Sequence, residues 1–402
     1  MTTLRTLAIG ALIVCAATRA SAQQAAADDT RTQYPAFMSN SYFDFNVGSI
    51  GYLFSATQLE PGFQAESIDR PRIAVRADFF GHHFTKHFSA QVTYMRPARF
   101  VTYHNINGNK ADSQTSLAYA GLTFVQDVPL TARVGGYVEG GYGVTSRSGI
   151  DINGTTALQT AHYAAGLVGG GFAYHATPNM DVMLGATYSP GRKSFNQPST
   201  RLFTTGLRYQ MRPLDEAEVK ENRDAGFLFP TNVIRLGFTS NLLGYGVNDF
   251  FSRTVPIFWG GNVETQYGVT LDYQRNVFHT KKVFAFDLGA SASYWNSNGN
   301  GDLFRTLSVY PLFRFFVARV DPADVYVSYS LAGPTFLSQT LLDGRDTGAH
   351  FTFQDFMAVG AYLGKSRRLN AELGIKHYSN GNLFTTNASI KVPLTLTLGM
   401  TF

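Results

Sequence analysis

Cysteine is nearly absent: Cys15 is the only one in 402 residues. The chain was therefore not built as a disulfide framework. Long apolar runs are missing too. Beyond residue 22 none approaches the ~20 residues that a transmembrane helix needs. Charge is thin, at 15% of residues with a net +5, and the basic residues are scattered. Nucleic acid is thus not an expected partner, and a charged lipid surface fits better. Extended helical periodicity does not occur.

What is present is aromatic and glycine content: 33 Phe, 21 Tyr and 39 Gly. These residues fall in segments of about ten with alternating polarity, divided by turn residues, which is the signature of a transmembrane β-barrel. Residues 1–22 read as a secretory signal peptide. Arg5 gives the positive start, Leu7 to Ala17 the apolar stretch, and Ala20-Ser21-Ala22 the small-residue cleavage site.

The remainder divides in two. Eight candidate strands lie near 41–56, 71–81, 87–104, 114–126, 131–146, 159–174, 179–189 and 201–211. Eight more lie near 231–245, 262–278, 282–295, 303–319, 323–338, 350–363, 368–379 and 391–402. Connections alternate in length. "HTKK", "DPAD" and "GKSRR" are short; "TLLDGRDTG" and "NGNLFTTNAS" are long. Outer-membrane barrels alternate in this way, with short periplasmic turns and longer external loops. The charged stretch "PLDEAEVKENRDAG" cannot lie in hydrocarbon and reads as a periplasmic linker. The expected fold is all-β: two tandem eight-stranded transmembrane antiparallel barrels, at 34–212 and 227–402, joined by linker 213–226. One sixteen-stranded barrel is the alternative. The last strand, "KVPLTLTLGMTF", sets Val392, Leu394, Leu396, Leu398, Met400 and Phe402 on one face. A soluble β-sandwich would bury that face, but outward aromatics and loop asymmetry favour lipid. The location implied is the bacterial outer membrane.

One strand breaks its own pattern. In "LNAELGIKHYSNGNL", Leu369, Ala371, Leu373 and Ile375 share an apolar face, and His377 and Ser379 continue it. Residues i and i+2 of a strand point the same way. A serine hydroxyl becomes a nucleophile when an adjacent base takes its proton. Counted from a periplasmic start, this strand runs outward, so the pair sits at its external end, where acyl chains meet headgroups. A base beside a hydroxyl at that level points to attack on a lipid ester. The bland reading of His-x-Ser is an interfacial imidazole with its polar tip in the headgroups.

"HYSNGNLFTTN" (377–387), on the penultimate strand, resembles the lipid A 3-O-deacylases, the PagL family. The resemblance extends through "VSYSLAGPTFLS" (327–338) and "FTFQDFMAVGAYLG" (351–364), and covers roughly 227–402. It implies His377 as general base, Ser379 as nucleophile and Asn380 as a candidate oxyanion donor. Asn387 and Asp355 match supporting positions. Asp355 stands on an apolar face with Phe351, Phe353, Met357 and Val359, and a carboxylate there needs a partner. The substrate implied is lipid A of lipopolysaccharide in the outer leaflet, cleaved without a cofactor or metal.

One departure is plain. The family places a Glu at the start of the last strand, where this chain has Lys391 or Val392, and no Asp or Glu occurs from 373 to 402. "HYSNG" also matches outer-membrane phospholipase A, whose motif lies mid-chain in a larger barrel. The first half resembles small OmpA-like barrels in strand count and loops only. A non-catalytic pore, surface-binding or structural barrel is the competing class, and a homodimer is compatible with either. The histidines of "FFGHHFTKHF" (His82, His83, His87) fall at a short turn and read as periplasmic. Glycine series such as "GLVGGGF" precede no helix and read as close packing inside a narrow barrel.

Overall fold

The computed structural model describes residues 29–254, 258 and 260–402; the expected signal peptide lies outside them. Sixteen long strands form two closed antiparallel barrels of eight. The first comprises β1 (Ser41–Tyr52), β2 (Ile73–His83), β3 (Phe88–Pro97), β4 (Leu117–Pro129), β5 (Val134–Arg147), β6 (Ala161–Thr177), β7 (Met180–Ser189) and β8 (Thr200–Met211). The second comprises β9 (Asn232–Ser240), β10 (Val263–His279), β11 (Phe284–Ser297), β12 (Leu303–Val320), β13 (Ala323–Leu337), β14 (Phe351–Leu363), β15 (Leu369–Ser379) and β16 (Ile390–Thr401). Each sheet closes on itself, β1 on β8 and β9 on β16, which rules out one sixteen-stranded barrel.

Alternation decides which side of each wall is wet. Outward side chains such as Val168, Leu184, Phe203, Leu307 and Val309 are more than half exposed. Apolar side chains open all round a barrel belong in hydrocarbon. Inward positions carry the charge. In the first barrel Arg76 pairs with Glu139 at 2.6 Å and Asp78 at 3.2 Å, and Arg208 pairs with Asp44 at 3.0 Å. In the second, Arg235 bridges Asp272 at 2.6 Å and Glu372 at 2.8 Å. Buried charges persist only when paired, and here they fill the lumens. An apolar cluster including Phe54, Tyr103, Ile106 and Leu158 closes the external end of the first barrel.

Between the barrels runs α1 (Glu216–Asp224). Asp215 caps it by accepting the Glu218 N–H at 2.8 Å. Three segments depart from the strands read in the sequence. The run 87–104 breaks after Pro97, and 101–104 joins a small external sheet. The strand expected at 231–245 stops at Ser240, and α2 (Gly246–Thr254) follows in the loop. Val392 faces the lumen and is buried, not outward with Leu394 and Leu396. The cause is a bulge: Gly374 pairs with Thr395 but Lys376 pairs with Val392, so β16 carries one extra residue. Pro393 sits there, at a place where a missing N–H is tolerated.

The barrels dock side by side. The Tyr34 ring stacks on Phe278 at 4.3 Å, and Phe43 of β1 lies 6.3 Å from Phe313 of β12. The segment ahead of β1 is tied to the second barrel, with Asp29 on His279 at 3.1 Å and Arg31 donating to the Phe229 carbonyl at 3.1 Å.

Candidate active site on the outer face of the second barrel

β15 is held from inside. Glu372 takes Arg235, and Tyr378 packs with Trp295, Phe304 and Val392. With those side chains inward, Leu373, Ile375, His377 and Ser379 face outward, as the alternation predicts. Three strands then line up at His377. Its cross-strand partner on β14 is Asp355, and its partner on β16 is Lys391. Ser379 is opposite Phe353. Directly opposed residues hold their Cβ atoms about 5 Å apart, so carboxylate, imidazole and ammonium start from one row on one face.

Asp355 is only 4% exposed although it points out of the barrel. Its carboxylate accepts the Ala332 N–H at 2.6 Å. The N–H is turned outward by a second bulge, on β13 between Ser330 and Gly333, where Ala332 adopts φ 52°. This gives the membrane-level carboxylate a backbone partner. Lys391 does not play the acid's part that its position has in the resembling family. Its ammonium bridges Asp249 of α2 at 3.2 Å and Glu264 of β10 at 3.0 Å. Two carboxylates are thus close to the site, but both are engaged with Lys391.

His377 is 1% exposed. The Phe258 ring meets the imidazole edge-on at 6.2 Å, and the Gly260 backbone is within hydrogen-bonding reach of it. Phe258 and Gly260 therefore lie against the outer wall and cover the base. Ser379 stays partly open.

Asn380 and Asn387 shape the loop beyond Ser379. The Asn380 amide donates to the Thr347 carbonyl at 2.8 Å and the Thr386 carbonyl at 2.7 Å. The Asn380 backbone N–H donates to Asn387 Oδ1 at 3.0 Å. Asn387 in turn donates to Asn382 Oδ1 at 2.8 Å. Gly381 and Asn382 both take left-handed backbone, φ 64° and 60°, turning the chain sharply after Asn380. Both side-chain hydrogens of Asn380 are committed to carbonyls, so its place here is to hold the loop.

Sequence reading missed Phe258, Gly260 and Ala332. The signal for Ala332 was "LAGP" in mid-strand, a run that marks a bulge. Nothing in the sequence pointed to Phe258. The first-half histidines go separate ways: His82 bonds Ser41 at 2.9 Å and His83 bonds Gln210 at 3.2 Å.

Closed barrels with an apolar outer belt and filled lumens define a bacterial outer-membrane protein. Within it, residues 261–401 match the family model described as Lipid A 3-O-deacylase (PagL), and the match lies inside the second barrel. The N-terminal part resembles small outer-membrane barrels. Similar solved structures include the outer membrane enzyme PagL, at 17% identity, covering 42% of this chain and 99% of that one with a TM-score of 0.30. Neisserial surface protein A follows at 16%, 43%, 97% and 0.31. The N-terminal β-barrel domain of Pseudomonas aeruginosa OprF stands at 13%, 43%, 98% and 0.28. No curated protein matches the chain.

Proposed function

We propose that the second barrel is a serine esterase that removes the 3-O-linked acyl chain of lipid A in the outer leaflet. The observation that carries this reading is the row on the outer wall: Asp355 opposite His377, with Ser379 next along the same face. The family match over 261–401 supplies the substrate class.

His377 takes the Ser379 hydroxyl proton as Oγ attacks the ester carbonyl carbon. The sugar oxygen leaves with that proton and an acyl-serine remains. Water, deprotonated by His377, attacks the acyl-serine; the fatty acid departs and the serine is restored. Asp355 replaces the family's glutamate as the charge that orients the imidazole and stabilises its protonated form. It approaches from β14 rather than β16. Asn380 and Asn387 fix the loop that carries the chain away from Ser379.

A pore is the weaker reading, because Arg76–Glu139 and Arg235–Glu372 pairs cross the two lumens. The test is mass spectrometry of lipid A from cells making the protein or its Ser379→Ala variant. Loss of one 3-hydroxyacyl chain with the parent alone is expected. Unchanged lipid A with both proteins inserted would sink the deacylase reading. Phospholipid cleavage in the same cells would turn it toward a phospholipase.

A further inference from the structure

α2 is inside out for a helix in water. Its polar side chains turn toward the barrel. The Asn248 amide is buried and donates to the Val392 carbonyl of β16 at 2.9 Å. Asp249 bridges Lys391 at 3.2 Å. Tyr245, just ahead of the helix, donates its hydroxyl to the Thr265 carbonyl of β10 at 2.8 Å. The side chains turned away are apolar. Val247 and Phe250, at i and i+3, share one stripe and are 37% and 60% exposed. Leu242 and Leu243, in the 3-10 turn Asn241–Leu243 before the helix, are 90% and 79% exposed. Two hydroxyls are satisfied within the helix itself: Ser252 donates to the Asp249 carbonyl at 3.1 Å and Thr254 to the Phe250 carbonyl at 2.8 Å. A helix on an aqueous surface has the opposite arrangement, with its apolar stripe to the protein and its polar face out.

The height of α2 fits the same reading. β9 stops at Ser240, opposite Tyr267 of β10. Its two neighbours run on and meet above it, Val263 beside Ile390 and Glu264 beside Lys391. The 3-10 turn packs on both of these strands and α2 packs on β16. Lys391 and Val392 are level with His377 and Lys376 of β15, so α2 rides beside the wall and not above it. Below the turn, Leu236 and Phe238 of β9 and Val269 of β10 are exposed on the outward face. The apolar stripe thus continues the barrel's lipid-facing belt.

We propose that Leu242, Leu243 and α2 lie in the acyl region of the outer leaflet as an in-plane membrane anchor that seals the notch above β9. The partner is a lipid surface. Hydrocarbon demands an internal partner for each polar group, and Asn248, Asp249, Ser252 and Thr254 all have one. Helices with an apolar stripe against the acyl chains bind in the plane of the leaflet. A second copy of this chain is the rival occupant; continuity with the outward belt of β9 and β10 favours lipid. The anchor goes beyond the esterase reading and stands without it. The two meet at Lys391, which holds Asp249 and pairs in register with His377.

The experiment measures depth with nitroxide spin labels. Val247→Cys, Phe250→Cys and Leu242→Cys are made singly in a Cys15→Ser background, which removes the only native cysteine. Val309→Cys on the outward face of β12 is the lipid reference, and the exposed Lys110→Cys, in the external loops of the first barrel, the water reference. The full-length proteins are labelled and refolded into vesicles of phosphatidylethanolamine and phosphatidylglycerol, and heat-dependent gel migration confirms that each barrel is folded. Three probe sites keep the test decisive if one variant misfolds. Collisions with oxygen, which concentrates in hydrocarbon, are compared with collisions with a water-soluble nickel chelate. The expected result is an oxygen-to-nickel ratio at Val247, Phe250 and Leu242 shifted from the Lys110 value to near that of Val309. A ratio matching Lys110 overturns the proposal, because the stripe then faces water. Shielding from both agents also overturns it. Dipolar broadening that disappears on dilution with unlabelled protein would then identify a second copy of the chain as the occupant. None of these readings requires lipid A cleavage, so a failed esterase leaves the anchor standing, and a failed anchor leaves the esterase.

Discussion

On the proposed esterase reading, replacing Asp355 separates two jobs that one carboxylate holds. It accepts the Ala332 N–H at 2.6 Å, and it stands opposite His377 in the strand register. Asp355→Asn keeps an oxygen for Ala332 but removes the charge. Two unit charges about 5 Å apart at an effective dielectric of about 20 interact by about 3 kcal/mol. That energy is available to the imidazolium of the transition state and absent for neutral imidazole. Its loss lowers kcat by about two orders of magnitude, with barrel stability nearly unchanged. Asp355→Ala loses the acceptor as well. It strands a buried N–H, and the added penalty is about 1–3 kcal/mol of stability. The assay is release of 3-hydroxy fatty acid from purified lipid A, followed under saturating substrate, alongside thermal unfolding of the refolded barrel. If Asp355→Asn retains activity within a few-fold of the parent, Asp355 is only the clasp of the β13 bulge, and the missing glutamate has no substitute on β14.

Other expectations follow from the same contacts. Asn380→Ala leaves the Thr347 and Thr386 carbonyls without their amide donor, a loss of about 2–4 kcal/mol confined to the loop; hydrogen exchange should quicken in 381–387 while the barrel strands keep their protection. In the external sheet of the first barrel, the hydrogen bonds that His104 donates to the Asp112 and Asp69 carboxylates raise its pKa. A raised folded pKa gives stabilisation that is complete below the ordinary histidine range and is lost as pH rises through the folded value. Proteolysis of the 101–115 loops should therefore accelerate as pH rises above the ordinary histidine range, and His104→Gln should abolish that dependence. A flat proteolysis rate across the range for the parent protein would contradict it.

Much of this molecule was written locally. Alternation of apolar and polar side chains along an extended backbone is a steric property of each strand alone, so the strands, the two halves and the faces of His377 and Ser379 could be read from residues in order. The same holds for α1, whose Asp215 and Glu218 announce a helix start. Sequence also exposed the missing acid after residue 373.

Other features depend on pairing across the chain. An ungapped count could not choose between Lys391 and Val392, because the extra residue at Pro393 changes the parity of β16 and shows only in the register. The Ala332 bulge, which gives Asp355 its N–H, is set by how β13 meets β14. Closure into two barrels, rather than one, was a matter of which edges met: β1 with β8 and β9 with β16. The meeting of Phe43 with Phe313 required two finished surfaces to dock. A single strand determines which way its side chains point; which side chains then face one another is decided by long-range hydrogen bonding and surface fit, and only the tertiary structure holds that information.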